Sequence, residues 1–266
     1  VSPEPVITLT TDFGYEDAFA GAMKGVILNL NRASRIVDLT HGIRPFHIKE
    51  AAFIIGANYK YFPEKTVHIV VVDPGVGSGR RPVIVSADGH YFVGPDNGVF
   101  SYVYRTADRE PLVVHITAER FFLSSSSRTF QGRDVFAPVA ARLAGGIDIA
   151  EFGSRIDDFV SFELPLPEVL SEGKLLGQVV HIDGFGNAIT NVTGADLRRL
   201  LQEEGELEVR LHGDNIPLKA YYAEGDDRTL SALLNSSGHL EFFICRGNAA
   251  AEFSLSEGDI VEIVRV

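Results

Sequence analysis

In the segment His68-Ile69-Val70-Val71-Val72-Asp73-Pro74-Gly75-Val76-Gly77-Ser78-Gly79-Arg80-Arg81, a β-branched apolar run meets an acid, a Pro/Gly-rich turn and two arginines. The run reads as a buried central strand bounded by strong breakers. Asp73 then stands at the carboxyl end of a strand, where open α/β sheets place ligands. The glycines let the backbone bend sharply, so Arg80 can fold back toward Asp73. From these residues alone, a loop-closing ion pair and a functional pair are equally good readings. Neither stock use of the glycines fits. A dinucleotide fingerprint needs a third Gly where Arg80 stands and a helix after it, whereas Pro82-Val83-Ile84-Val85 starts another strand. A phosphate loop needs Gly-Lys-Ser/Thr at its end, which is absent.

Outward from that segment the chain alternates. Val6–Leu9 reads as a strand, followed by the tight loop Thr10-Thr11-Asp12-Phe13-Gly14. Asp17 is positioned to cap a helix with Phe19, Ala22, Met23, Val26 and Ile27 on one face. Arg35–Leu39 is a strand, and Pro45 opens a second helix with Ile48, Ala51, Ala52 and Ile55 inward. Strand, helix, strand, helix, strand implies an α/β class fold: a Rossmann-like, mostly parallel sheet covered on both faces. Pro82–Ser86 and His90–Val93 flank Asp88-Gly89, a hairpin signal. Val93-Gly94-Pro95-Asp96-Asn97-Gly98 is a second strand-to-loop exit, in which Asp96 and Asn97 support the loop. Ser124–Ser127 reads as a solvated loop, and Asp134 as the cap of a helix over Val135–Leu143.

Leu164-Pro165-Leu166-Pro167-Glu168 marks a boundary, because such proline spacing is stiff and extended. The expected organisation is an N-terminal α/β domain over 1–164, a linker over 165–175 and a small β-barrel domain over 176–266. The barrel is read from short strands at Gly177–Ile182, Ala188–Val192, Glu208–Leu211, Leu230–Leu234, Leu240–Ile244 and Ile260–Val264, with one helix near Ala195–Leu201.

Composition bounds the partners. The chain has 266 residues, 45% of them apolar, enough for a substantial core. A net charge of −12 argues against non-specific nucleic-acid or anionic-membrane partners. The single cysteine, Cys245, cannot form an internal disulfide and fits a reducing, cytoplasmic setting. No apolar run approaches the ~18–20 residues that cross a bilayer. No signal peptide is visible, and because the chain opens at Val1 rather than Met, removal of an upstream segment is expected.

Seven motifs stand in register along almost the whole chain: Thr11–Gly14, Val72–Gly77 with Arg80, Val93–Gly98, Thr129-Phe130-Gln131-Gly132-Arg133-Asp134, Asp183-Gly184-Phe185-Gly186-Asn187, Asn235-Ser236-Ser237-Gly238 and Gly247-Asn248-Ala249-Ala250. Their order and spacing resemble the S-adenosyl-L-methionine (SAM) hydrolases, or SAM hydroxide adenosyltransferases, relatives of the SAM-dependent fluorinase and chlorinase. The resemblance implies an N-terminal α/β domain, a C-terminal β-barrel and homotrimers with sites between subunits. It implies attack of water at ribose C5′ of SAM, yielding adenosine and L-methionine, with no cofactor and no metal.

In that pattern the catalytic set is Asp, Arg and His. Asp73 and Arg80 match the first two, and Gln131 stands where the His belongs, which is expected to lower activity. Asp12 resembles the ribose anchor, since a carboxylate can accept from both hydroxyls of a diol; the bland alternative is that it stabilises its own turn. Phe46 matches an aromatic beside the ribose or methionine, although taken alone it reads as core. Asp183 resembles the contact to the methionine ammonium, with Ser236 near the same end. Phe185 and Asn187 resemble an adenine slot, with Tyr222, or almost equally Tyr221, on the other ring face. Glu241 and the backbone of Ile244 match the adenine amino edge. For Tyr222, Glu241 and Ile244, a barrel-core role fits nearly as well. Two rivals stand beside hydrolysis. A halogenase is disfavoured because the Asp73 carboxylate would repel a halide. A SAM- or adenosine-binding protein without strong catalysis is kept open by Gln131.

Overall fold

The computed structural model describes residues 4–123, 128–171, 173–201 and 205–266, so the serine run lies outside the described residues. The chain divides into two compact units, Val1–Glu163 and Leu164–Val266.

The first unit contains β1 (Val6–Thr11), α1 (Phe19–Leu30), β2 (Arg35–Thr40), α2 (Ile48–Asn58), β3 (Val67–Val71), β4 (Pro82–Ala87), β5 (His90–Pro95), α3 (Ser101–Thr106), β6 (Leu112–Ile116), α4 (Ala137–Ala144) and β7 (Gly153–Arg155). They build one seven-stranded sheet in the order β2-β1-β3-β5-β4-β6-β7. The β2/β1, β1/β3 and β3/β5 pairings are parallel. The β5/β4, β4/β6 and β6/β7 pairings are antiparallel. The α/β class holds, and the sheet is mixed rather than parallel throughout. The change of direction comes from Asp88-Gly89, where both residues take positive φ (48° and 77°) in a two-residue hairpin.

Strand β3 is buried along its whole length, as its sequence requires. Val67, Ile69 and Val71 join one core with Ile7, Leu9, Met23, Ile27 and Val139, which draws α1 and α4 onto that face. Val70 and Val72 join the opposite core with Ala51, Ile55, Phe92 and Val103, under α2 and α3. Each such aliphatic side chain contributes about 1.5–3 kcal/mol by leaving water. His68 is wholly buried, stacked on Phe92 and bonded through Nδ1 to Thr8 Oγ1 at 2.8 Å. Burial, with some help from His90, pushes its imidazole down to about 3.

Two helix starts differ from expectation. Ala18, not Asp17, holds the N-cap position of α1, and no side chain caps it. Helix α2 begins at Ile48 rather than at Pro45, and the His47 ring accepts from Glu50 N at 3.2 Å. Pro45 instead precedes Phe46, whose left-handed backbone (φ 66°) is incompatible with a helical turn.

The second unit runs β8 (Glu168–Ser171), β9 (Lys174–Ile182), β10 (Ala188–Thr193), α5 (Gly194–Leu201), β11 (Leu207–Leu211), β12 (Asp214–Ile216), β13 (Ser231–Leu234), β14 (His239–Phe243), α6 (Ala249–Glu252) and β15 (Ile260–Arg265). Its antiparallel, barrel-like sheet has the order β12-β11-β15-β9-β10-β14-β13, with β8 added beside β9. Alternate β9 residues point inward, where Leu175 and Val179 meet Val192, Val209, Phe242 and Ile263. The segment expected to be a linker therefore carries structure: β8 pairs with β9, and β9 starts at Lys174.

Candidate active site

Strands β1 and β3 are parallel neighbours with Thr11 opposite Val71, so Asp12 and Asp73 leave the same sheet edge side by side. The turn after Asp73 is held by Val76 N donating to Asp73 O (3.3 Å) and by Ser78 Oγ donating to Gly75 O (2.6 Å). Gly77 (φ 80°) is required there, since a Cβ would sit 2.9 Å from the Arg128 carbonyl oxygen. The turn returns Arg80 to Asp73: Nε donates to Oδ1 at 3.2 Å and Nη2 donates to Oδ2. Both side chains are over nine-tenths buried. The Phe136 ring lies beneath the guanidinium, its centroid 5.4 Å away. Arg80 Nη2 also donates to Gln131 Oε1 at 2.6 Å, so Asp73, Arg80 and Gln131 form one connected group.

A π-helical turn, Gly132–Phe136, follows Gln131 and leads into α4. Pro138 supplies a cause. It has no N–H to donate to the Asp134 carbonyl, and Leu123 N takes that carbonyl instead at 3.0 Å. Asp134 is therefore inside the helical segment and not its cap. Its fully buried carboxylate is held by Arg133, Nε to Oδ1 at 2.7 Å and Nη2 to Oδ2 at 3.1 Å. Wide turns of this kind are frequent at functional sites, and this one begins directly after Gln131.

Asp12 Oδ2 accepts from Phe46 N at 2.9 Å. That bond holds Phe46 in its strained conformation, a cost of order 1–3 kcal/mol, with the ring 68% exposed. Phe46 is therefore not core. Asp12, Asp73, Gln131 and Phe46 line one cavity of about 300 Å³, together with Phe13, Phe19, Pro45, Val76, Thr129 and Phe130. The rings of Phe13, Phe19 and Phe130 pack with centroids 5.2–5.9 Å apart and form an apolar wall. Sequence reading placed Phe19 on the inward face of α1 and gave Phe13 and Phe130 no role. Their presence in two of the motifs was the available signal.

In the second unit, Asp183 closes its own turn. Oδ1 accepts from the backbone N–H groups of Phe185 and Asn187, both at 2.9 Å, and Oδ2 accepts from Asn187 Nδ2 at 3.1 Å. Gly186 (φ 86°) admits no side chain, because a Cβ would meet Asn248 Oδ1 at 2.1 Å. The turn leaves Phe185 81% exposed. Glu241 is almost wholly buried; it accepts from Tyr222 OH at 2.7 Å and from Asn235 Nδ2 at 2.9 Å. Burial pushes the Glu241 carboxyl up, the two donors only partly offset this, and the Asp183 charge adds to it. The Tyr222 phenol is also raised, first by burial and then by Glu241. Asn235 was not singled out from sequence, although it heads a motif. Ser236 is exposed in the turn beside it. Ile244 is core, and its carbonyl accepts from Gly247 N at 3.3 Å. Asp96 and Asn97 act within the first unit: Asp96 binds Arg81 and Val160 N, and Asn97 binds Val72 O and Val99 N.

Two family models match the chain: the SAM hydroxide adenosyltransferase N-terminal domain over residues 7–153 and the C-terminal domain over 177–262. The chain belongs to the SAM hydroxide adenosyltransferase family. Among relatives, the (R)-S-adenosyl-L-methionine hydrolase of Methanocaldococcus jannaschii is 34% identical, over 97% of this chain and 95% of that protein. A fluorinase of Nocardia brasiliensis is more distant, 27% identical over 97% and 96%. The crystal structure of an uncharacterized conserved protein from Thermotoga maritima superposes with a TM-score of 0.89 at 32% identity, over 97% of this chain and all of that one. Within this SAM hydroxide adenosyltransferase chain, no group of three or more His, Cys, Asp or Glu is arranged to hold a metal among the described residues.

Proposed function

We propose that this protein hydrolyses SAM to adenosine and L-methionine. The observation that carries the proposal is the buried Asp73–Arg80–Gln131 group on the wall of an apolar cavity that also presents Asp12. A sulfonium leaves as a neutral thioether and needs neither a general acid nor a metal. The enzyme must hold water in line with the C5′–S bond, roughly 3–3.5 Å from carbon. The water oxygen bonds to C5′, the C5′–S pair goes to sulfur, and the proton passes to Asp73. Arg80 holds Asp73 and favours developing hydroxide. Gln131 Oε1 is engaged by Arg80, so its NH₂ is the group left to orient the water, and an amide takes no proton. Asp12 has Oδ1 free among the described residues to anchor the ribose diol. Phe46 packs on the ribose or methionine.

The remainder of the ligand is assigned to the second unit. Asp183, with Ser236 nearby, meets the ammonium. Phe185 and Asn187 hold adenine, Tyr222 covers its other face, and Glu241 with the Ile244 backbone reads the amino edge. The working form is a homotrimer in which different copies supply the two sets of residues, acting in the cytoplasm without a cofactor. No described helix is long and apolar enough to cross a membrane.

A second reading, a SAM- or adenosine-binding protein with little turnover, is favoured by Gln131 alone. Incubation with SAM and chromatography of the products separates the readings. Adenosine with methionine supports hydrolysis, and unchanged SAM that co-elutes with protein overturns it in favour of binding. A halogenated nucleoside in the presence of halide overturns it in favour of the fluorinase-like branch.

A further inference from the structure

His41 is wholly buried one residue beyond β2 and touches none of the cavity. Its Nδ1 lies 2.8 Å from Thr11 Oγ1, and that same hydroxyl accepts from Phe13 N at 3.2 Å. Asp12 is the residue between those two. The backbone is tied in parallel: Gly14 N donates to His41 O at 2.8 Å, and Ile43 N donates to Thr11 O at 3.4 Å. On its far side, Nε2 faces Asp38 Oδ1 at 3.1 Å, short of full hydrogen-bond alignment. Asp38 Oδ2 accepts from Lys24 of α1 at 2.6 Å. Burial alone would raise the Asp38 carboxyl, but Lys24 and His41 outweigh it and hold it below the ordinary range. Thr11 Oγ1 therefore joins the Phe13 N–H to the His41 ring, and the other ring nitrogen faces Asp38.

We propose that His41 is a positioning residue for the ribose anchor, locking the Asp12 loop to the segment that carries Phe46. A buried imidazole costs stability unless its ring nitrogens are engaged, and here the engagement runs through the residues on either side of Asp12. The Asp12–Phe46 bond then closes a ring of contacts: Thr11 to His41, along the backbone to Phe46, and back to Asp12. A leucine at position 41 would fill the space but lose the Thr11 contact, leaving the loop to its two backbone bonds and the Asp12–Phe46 bond. The inference rests on the ribose role given to Asp12 above.

Thr11→Val is the test, because it keeps shape and removes only the hydroxyl. The expected result is an affinity for adenosine, and a KM for SAM, weaker by about tenfold. The kcat at saturation stays within about twofold, and amide exchange at Phe46 is faster. Thr11→Ser restores all of these. His41→Asn, which keeps a group near the Nδ1 position and loses the one facing Asp38, is expected to fall between. Unchanged affinity with unchanged Phe46 exchange, whether or not the melting temperature drops, overturns the proposal, as does failure of Thr11→Ser to rescue. If Thr11→Val does not fold, His41→Asn decides by the same readouts. If native protein binds neither adenosine nor SAM, the functional reading fails, and Phe46 exchange in the variant alone confirms or refutes the positioning role.

Discussion

Asp73 and Glu241 are both buried carboxylates near motif glycines, yet their surroundings are opposite. Asp73 faces a guanidinium through two oxygens, on the wall of a cavity. Glu241 faces a phenol and an amide, both neutral, with the Asp183 charge as a further burden that helps push its carboxyl up. A buried charge is tolerated where a cation and additional donors meet it. The first arrangement sets a carboxylate against a cation on the cavity wall. The second favours the neutral, protonated carboxyl, because burial outweighs the two neutral donors. What separates the two buried carboxylates is the counter-charge that one has and the other lacks.

Asp73→Asn attacks the comparison at its strongest point. It removes the proton acceptor and turns an amide N–H₂ toward Arg80. The expected loss in single-turnover adenosine formation is ~10²–10⁴-fold, with SAM affinity held within a few-fold. An equal loss from Glu241→Gln would abolish the distinction drawn above. Asp12→Ala comes next. Adenosine and SAM share the diol, so calorimetry should show both weakened together by about 1.5–3 kcal/mol. Unchanged adenosine affinity would remove Asp12 from the site.

Gln131→His sharpens the same contrast. An imidazole beside the Asp73–Arg80 pair can accept a proton, and the amide cannot. The single-turnover rate should rise at least ~10-fold with affinity nearly constant. If it does not rise while Asp73→Asn is dead, the pair works without position 131. The smallest effect is a stability change. The folded state binds the Glu241 proton more tightly than the unfolded chain does. That contribution is therefore full below the unfolded value, 4.5, and is lost as pH rises through the raised folded value. Glu241→Gln removes the loss, because its amide can still accept from Asn235 and donate to Tyr222. Urea unfolding at pH 5 and pH 7 should show the variant gaining, relative to native protein, under ~1 kcal/mol at the higher pH.

Much of this was legible in sequence for a physical reason. From Ile69 to Val72 the run is apolar at every position, so it had to be covered on both faces, and Asp73 had to emerge at a strand end. The alternation in β9 likewise requires a one-sided sheet. Local patterns failed where a distant group intervened. Asp134 looks like a cap until the Arg133 fork claims both its oxygens and Pro138 withholds a donor. Pro45 looks like a helix opener until Asp12, 34 positions before Phe46, takes the Phe46 N–H. The direction of the Gln131 amide depends on Arg80, 51 positions away, and no local pattern carries it.

The pairing of Thr11 with Val71 has a consequence for how this protein wears out. Asp12 is the first residue beyond β1 and Asp73 the second beyond its neighbour β3, and β3 has no face open to water. Segments of this kind open only with the whole domain, whereas loops and termini open locally at little cost. Heating should therefore leave the spacing of the two acids intact until the sheet itself melts. Amide exchange at Thr11 and Val71 should then report the same opening free energy as global unfolding of the first unit, with no easier local opening.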